Sequence, residues 1–379
     1  MKNILKLLGG FLIGGLFGFV ISAIIVTLVK DITLTEFLQK FTEKAALAEG
    51  LKTGLLGIVS FLLAIPIQVI LHEGGHWVCG LLSGYRFVSF RIFKWTFIRL
   101  DGKIRVKRFD VAGTGGQCLL VPPERPTEQI PVVWYNLGGV LANVIVSVLA
   151  FLLMSVVDKS LFIHEFLFFL GLVGVFFALM NGIPMNVGGV SNDANNLLMM
   201  LKNPKCKRAL EIQLRANALL QQGVTPKDMP KEWFEETGEP EYKNPLLLTI
   251  HNLKACYLLD RQEWEAAHQA FEEMYLHKDE IMGLLVKEIA CELVFTSLVT
   301  NRMERARELY TDELKKYIEQ FRKVMSSKER ILCSVALLMD GNRLLAESIY
   351  DKVCQQRNEY LMQGEVASDI ALMQAILSR

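Results

Sequence analysis

The chain has no Cys-x-x-Cys pair, and its seven cysteines are scattered along 379 residues. This argues against a cysteine zinc site and a disulfide framework, and in favour of a reducing compartment for most of the thiols. It also has no basic excess. Forty-one Lys and Arg against 40 Asp and Glu leave a net charge of +1. Without surplus cations to neutralise phosphates, a nucleic-acid partner is not expected. Histidine is scarce, with six in all. Beyond Lys202 no apolar run is long enough to span a bilayer. What is abundant is apolar side chain: 51% of residues, with a mean hydropathy of +0.30. That is too much for a disordered chain and high for a soluble one. The 21% charged residues are too many for a wholly membrane-embedded one. Composition therefore predicts two parts, one in lipid and one in water.

Four runs are long and apolar enough for a bilayer core of about 30 Å. Residues 4–29 are uncharged apart from Lys6, and read as a retained helix rather than a cleaved signal, since the run is too long for a signal core. The others run from about Leu55 to Leu82, Val132 to Val157, and Leu161 to Ile183. Only Asp158, Lys159 and Ser160 separate the last two. The segment 84–131 carries Arg86, Arg91, Lys94, Arg99, Lys103, Arg105, Lys107, Arg108 and Arg125. By the positive-inside rule this segment, the amino terminus and the carboxy-terminal region are expected in the cytosol, in a multi-pass protein of the cell membrane. In the outer loop, Thr33 and Glu36 have capping-box spacing, and Leu34, Phe37, Leu38 and Phe41 share a helical face. A short helix is expected there, on the outer interface or packed on the bundle.

The chemistry lies inside the second of these runs, at His72-Glu73-Gly74-Gly75-His76. On a helix, positions i and i+4 face the same way, about 6 Å apart. His72 and His76 can therefore both offer an imidazole nitrogen to one zinc ion, with Glu73 turned aside as a general base. Ionisable side chains in an apolar membrane helix cost about 2.5–3.5 kcal/mol each, so their presence points to function. Two histidines leave a catalytic zinc one ligand short. The fourth run ends in Asn181-Gly182-Ile183-Pro184, followed by Gly188-Gly189 and Asp193-Ala194. Pro184 and the glycines stop the helix, and Asp193 is the only acid in the stretch. Asp193 is either the third ligand or the cap of a helix over 194–202.

The His-Glu-x-x-His motif in a membrane helix, followed two spans later by Asn181-x-x-Pro184 and then Asp193, resembles the intramembrane site-2 protease family of zinc metalloproteases. Tyr135-Asn136-Leu137-Gly138-Gly139-Val140-Leu141-Ala142-Asn143 is similar to that family's small-residue helix. The resemblance covers roughly residues 54–200. It implies His72, His76 and Asp193 as zinc ligands, Glu73 as general base and Asn181 as an aid to substrate binding. The family usually has Asp-Gly where this chain has Asp193-Ala194, and its insertion before the acid is commonly shorter. The implied activity is hydrolysis of membrane-spanning protein or peptide substrates. The alternatives are a non-catalytic scaffold of the same fold, and a membrane zinc protease whose third ligand is a glutamate such as Glu211 or Glu235.

Within 84–131, Arg86–Leu100 and Lys103–Phe109 read as two strands of a hairpin turning at Asp101-Gly102. Such an edge can pair with an unwound substrate or simply pack on the bundle. Ala112-Gly113-Thr114-Gly115-Gly116 lacks the Lys-Ser/Thr ending of a phosphate loop. His164-Glu165 lacks a second histidine, and His251, His268 and His277 lack metal spacing.

The carboxy-terminal part repeats with a period near 40. Ala267 precedes Phe271, Ala306 precedes Tyr310 and Ala346 precedes Tyr350, each four residues on and each after a short polar turn. This resembles divergent tetratricopeptide helix pairs, which imply a peptide or protein partner. The expected architecture is mostly α. A four-span membrane helix bundle with a small β-hairpin insertion occupies 1–200, a connecting segment 201–245, and a soluble helical-repeat domain 246–379. Within the connecting segment, Gly223–Pro245 is rich in proline and charge and reads as a linker.

Overall fold

The computed structural model describes residues 44–100, 103–108, 115–159, 162–187, 190–234 and 241–379, with the single positions 33 and 35. The expected first span at 4–29 lies outside them, as do the turn at Asp101-Gly102, residues 112–114 and most of the segment 33–41. The described chain is mostly helical, with thirteen α-helices and a small antiparallel sheet.

Three helical stretches are long and apolar enough to cross a membrane: Gly50–Leu82, Thr127–Met154 and Phe162–Gly182, with mean hydropathies of 2.4, 2.4 and 2.2. They correspond to α1 (Lys44–Leu82), α2 (Val132–Met154) and α3 (Phe162–Gly182). The described part of α1 reaches back to Lys44, well before the expected start near Leu55, because Ala45, Ala46, Leu47 and Ala48 favour helix and Gly50 does not stop it. Pro66 sits inside α1. Under a third of the most apolar window of α1 is buried. Its outward side chains include Leu55, Ile58, Phe61, Leu62 and Ile70. An apolar outer surface with a polar inner seam is the inverse of a soluble bundle and suits lipid.

The seam between α1 and α2 is unusually close. A methyl group on Gly75 would collide with the Gly138 carbonyl, and one on Gly138 with that of Gly75. Small residues at facing positions let two membrane helices bring their backbones together.

The insertion is a four-stranded sheet rather than the expected hairpin. Strands β1 (Arg86–Ile92), β2 (Trp95–Leu100), β3 (Lys103–Arg108) and β4 (Gly116–Val121) are all antiparallel, in the order β3-β2-β1-β4. The run 86–100 divides because the chain turns at Phe93, which takes a left-handed φ of 50°. Phenylalanine rarely does so, and no Gly, Asn or Pro marks the turn. β4 carries buried Cys118, Leu119 and Leu120 into a core shared with Tyr135 of α2 and with Cys206, Ala209 and Ile212. These last three lie on α5 (Pro204–Gln221), which follows α4 (Asp193–Lys202).

Helices α6 (Pro245–Asp260), α7 (Trp264–Leu276), α8 (Gly283–Val299), α9 (Met303–Leu309), α10 (Asp312–Phe321), α11 (Ser326–Ser334), α12 (Arg343–Gln356) and α13 (Gln363–Leu377) complete the chain. Successive helices pack into one core in which Ala267, Ala306 and Ala346 are all fully buried. The turns before α7, α9 and α12 hold Gln262, Asn301 and Gly341 at φ of 61°, 61° and 67°. The first two close alike. Glu263 N–H bonds to Leu258 O at 3.0 Å and Arg302 N–H to Ser297 O at 2.7 Å, each past a left-handed residue, as in a Schellman cap. In the segment read as a linker, short 3₁₀ turns at Pro226–Asp228 and Lys231–Trp233 bury Met229 and Phe234 against Ala216 and Leu220 of α5.

The left-handed turns give a stability prediction. Gly341 has open space where a side chain would go, so Gly341→Ala meets only backbone strain. It should lower unfolding stability by about 1–2 kcal/mol. Gln262→Gly, relieving the same strain, should not lower it. Thermal unfolding of the two variants checks the pair.

Candidate metal centre

His72 and His76 stand one turn apart on α1, and their Nε2 atoms lie 3.2 Å from each other. Asp193 brings its Oδ2 to 3.1 Å from His72 Nε2 and 3.3 Å from His76 Nε2. The three donor atoms thus form a nearly equilateral triangle, with both imidazoles buried. This is the one group of three His, Cys, Asp or Glu side chains among the described residues that can hold a metal ion.

The end of α3 explains how Asp193 arrives. The helix stops at Gly182, just before Pro184, and a tight two-stranded ribbon, β5 (Asn186–Val187) with β6 (Val190–Ser191), turns the chain back. Asn192 then caps α4, its Oδ1 accepting from Asn195 N–H at 2.9 Å. Its Nδ2 donates to Met180 O and Ile183 O, both at 2.6 Å. One side chain thus ties the end of α3 to the start of α4. The cap is Asn192, so Asp193 on the first helical residue is released to face the histidines.

Hydrogen bonds fix which nitrogen of each neutral imidazole carries the proton. His76 Nδ1 lies 2.6 Å from the Tyr135 carbonyl, which can only accept. His72 Nδ1 lies 2.6 Å from Asn143 Oδ1. That oxygen is an acceptor, because Asn143 Nδ2 is spent on Gln68 O at 3.2 Å and Gln68 Oε1 at 2.7 Å. Both Nδ1 atoms therefore donate. In the neutral rings both Nε2 atoms carry lone pairs, and these face each other and a carboxylate. Asp193 Oδ2 is buried without a hydrogen-bond donor. With the rings neutral, three electron-rich atoms converge, and such a set fits a bound cation. Their 3.1–3.3 Å separations match the edge, about 3.3 Å, of a tetrahedral site with bonds of about 2.0 Å. Gly139 makes the room, since a Cβ there would lie 2.6 Å from both Nε2 atoms.

Glu73 is 9% exposed and is not one of the triangle's three members. Its carboxyl lies against Gly116, the first residue of β4, where a Cβ would come within 2.6 Å of Oε1. The sheet thus reaches the metal group through β4. Arg91 of β1 reinforces that corner by donating to Phe93 O at 3.0 Å and Gly116 O at 3.1 Å.

The other residues singled out from sequence lie elsewhere. Asn181 donates to Phe177 O of its own helix at 3.0 Å. Glu211, on α5, is bound by Thr127, Arg208 and Arg215, and these donors hold its carboxyl below the usual range against the opposing effect of burial. It takes no part in the triangle, and Glu235 lies outside the described residues. Glu165 lies beside Gly57, fifteen residues and about 22 Å of helix from His72. His268 pairs with Thr296, and His277 stacks on Tyr242.

Sequence reading did not single out Gln68 and gave Asn143 no role beyond its place in the small-residue segment. Both are fully buried, and Gln68 Nε2 donates to Leu170 O of α3 at 2.8 Å. The His72–Asn143–Gln68–Leu170 chain therefore joins all three membrane-type helices and holds one ligand in its tautomer. A signal was present: polar amides within apolar runs need partners there. Asn143→Ala is expected to weaken metal affinity about 10–100-fold. Competition with a metal-binding dye checks it.

No known protein family, curated protein or solved structure matches the chain. Fold and site together define its class: a helical protein with three membrane-type helices and a His-His-Asp group, its histidines buried and its aspartate half-buried, able to hold a metal ion.

Proposed function

We propose that the chain is an intramembrane zinc endopeptidase that hydrolyses peptide bonds of membrane-spanning proteins or peptides. One observation carries the reading. Two imidazoles and a carboxylate converge between apolar helices, with a second carboxylate, Glu73, next to His72 in the chain. His72, His76 and Asp193 would hold the ion. Zinc suits two nitrogens and an oxygen, and when bound supplies a Lewis acid and lowers the pKa of water toward neutrality.

Glu73 accepts the proton of the attacking water as its oxygen forms a bond to the peptide carbonyl carbon. It returns a proton to the departing amine as the C–N bond breaks. The products are a carboxylate and an amine. A regular membrane helix hides its carbonyls in its own hydrogen bonds, so the substrate must unwind first. β4 is an edge strand of the sheet and begins beside Glu73. An unwound substrate can add to that edge as a further strand, which brings its backbone to the base. By the positive-inside rule we read the end of the bundle that carries the basic segment 84–131 as cytosolic, with the helical region after α5 on the same side as a docking region for a protein partner.

The test is cleavage of a panel of single-span peptides in liposomes. Cleavage should stop when a zinc chelator is added and return with zinc. Cleavage indifferent to chelation would refute the assignment.

A further inference from the structure

A cavity of about 430 Å³ opens where α5 begins, against α6 and the short 3₁₀ turn Thr127–Gln129. That turn starts the apolar stretch Thr127–Met154, which is long enough to cross a membrane. Thr127 and Glu128 line the cavity, so it lies at the mouth of a membrane-type helix.

One wall is basic. Lys202, Lys205, Lys207 and Arg208 fall within seven residues that hold no acid, and the last three line the cavity. Their charges are incompletely balanced. Lys205 is exposed and makes no ion pair among the described residues. Lys207 Nζ donates to a main-chain carbonyl, Glu128 O, at 2.7 Å, which leaves its charge without a counter-ion. Arg208 shares the Glu211 carboxylate with Arg215, at 3.0 and 3.1 Å. Two carboxylates also line the cavity, Glu128 and Glu241, and both are exposed. With Arg215 and Glu211 counted, four cations meet three carboxylates, and the amino-terminal end of α5 adds the positive pole of its dipole. His251 adds a ring that burial, and then Lys254, hold below its usual range.

The facing wall is apolar, with Trp233, Ile212, Leu247 and Ile250. A free inorganic anion has no use for that wall, and a purely apolar ligand has none for the lysines. One amphiphile uses both. Tryptophan is enriched where membrane meets water, and basic pockets beside membrane helices take anionic headgroups.

We propose that this cavity binds the phosphate headgroup of an anionic membrane lipid. Lys205 and Lys207 hold the phosphate, and Trp233, Leu247 and Ile250 pack against the glycerol and the first methylenes. A lipid held there ties α5, which packs on β4, to the membrane surface. The proposal requires that α2 crosses a membrane. It does not require that the chain cleaves peptides.

The test uses the full chain in detergent, read by native mass spectrometry. The probes are a phosphatidylglycerol and a phosphatidylcholine with the same acyl chains. The first phosphatidylglycerol should bind at least about tenfold more tightly than the first phosphatidylcholine. Replacing Lys205 and Lys207 together by Gln should remove that preference. Leu247→Trp, which fills the cavity and keeps every charge, should weaken phosphatidylglycerol by a similar factor. Replacing Lys315 and Lys316 of α10 by Gln removes the same charge outside the lining and should change nothing. Unchanged thermal unfolding would show that the variants are folded. Equal affinity for the two lipids, full preference in the Lys205 and Lys207 variant, or equal loss in the α10 variant would overturn the proposal. Displacement of the lipid by an equal concentration of inorganic phosphate would also overturn it, by making the cavity a site for a free anion.

Discussion

Glu73→Gln should lower the cleavage rate by about 10²–10⁴-fold while metal content stays unchanged. The two halves of this result come from different features. The side chain keeps its volume and its place against Gly116, so the triangle of His72, His76 and Asp193 is undisturbed. What disappears is the lone pair that takes a proton from water. A fall in both rate and metal content would mean that Glu73 is structural. An unchanged rate would mean that it is not the base. Single-turnover cleavage beside elemental analysis of the same preparation reads both.

Asp193→Ala should strip the metal. With Asp193 gone, two imidazoles remain, and the ion loses its charged ligand. Loss of a direct ligand should exceed the 10–100-fold effect of losing a supporting group such as Asn143. Cleavage should fall with the metal. The protein should remain folded, because Asn192, not Asp193, makes the cap and the clamp to α3. An Asn192→Ala variant is the useful comparison. It keeps the ligand but loses the clamp, and should cost both stability and metal. Normal metal in Asp193→Ala would remove Asp193 from the site.

The ligand triangle was legible because its signals are local or chemically rare. An i, i+4 histidine pair reads directly as one helical face, and a lone acid beyond a proline stop has few competitors. Whether Asp193 caps or coordinates was not legible from spacing, since aspartate serves both roles. The structure separates them by giving the cap to Asn192. The sheet was half visible. Alternating residues showed strands, but the turn at Phe93 has no sequence mark, so one apparent strand is two. The support of His72 by Asn143 and Gln68 depends on three helices meeting, which no periodicity within one helix reveals. In the carboxy-terminal region the buried alanines at a spacing near 40 showed the repetition. The left-handed turns that share it were visible only at Gly341, since Gln262 and Asn301 adopt the same geometry without glycine.

The central claim is a metal ion held by two imidazoles and one carboxylate between apolar helices. X-ray absorption at the metal edge of the purified, zinc-loaded protein tests it most directly. The account predicts nitrogen and oxygen neighbours at about 2.0–2.1 Å with imidazole outer-shell scattering from two rings. Sulfur at about 2.3 Å, or a shell without imidazole, would contradict it.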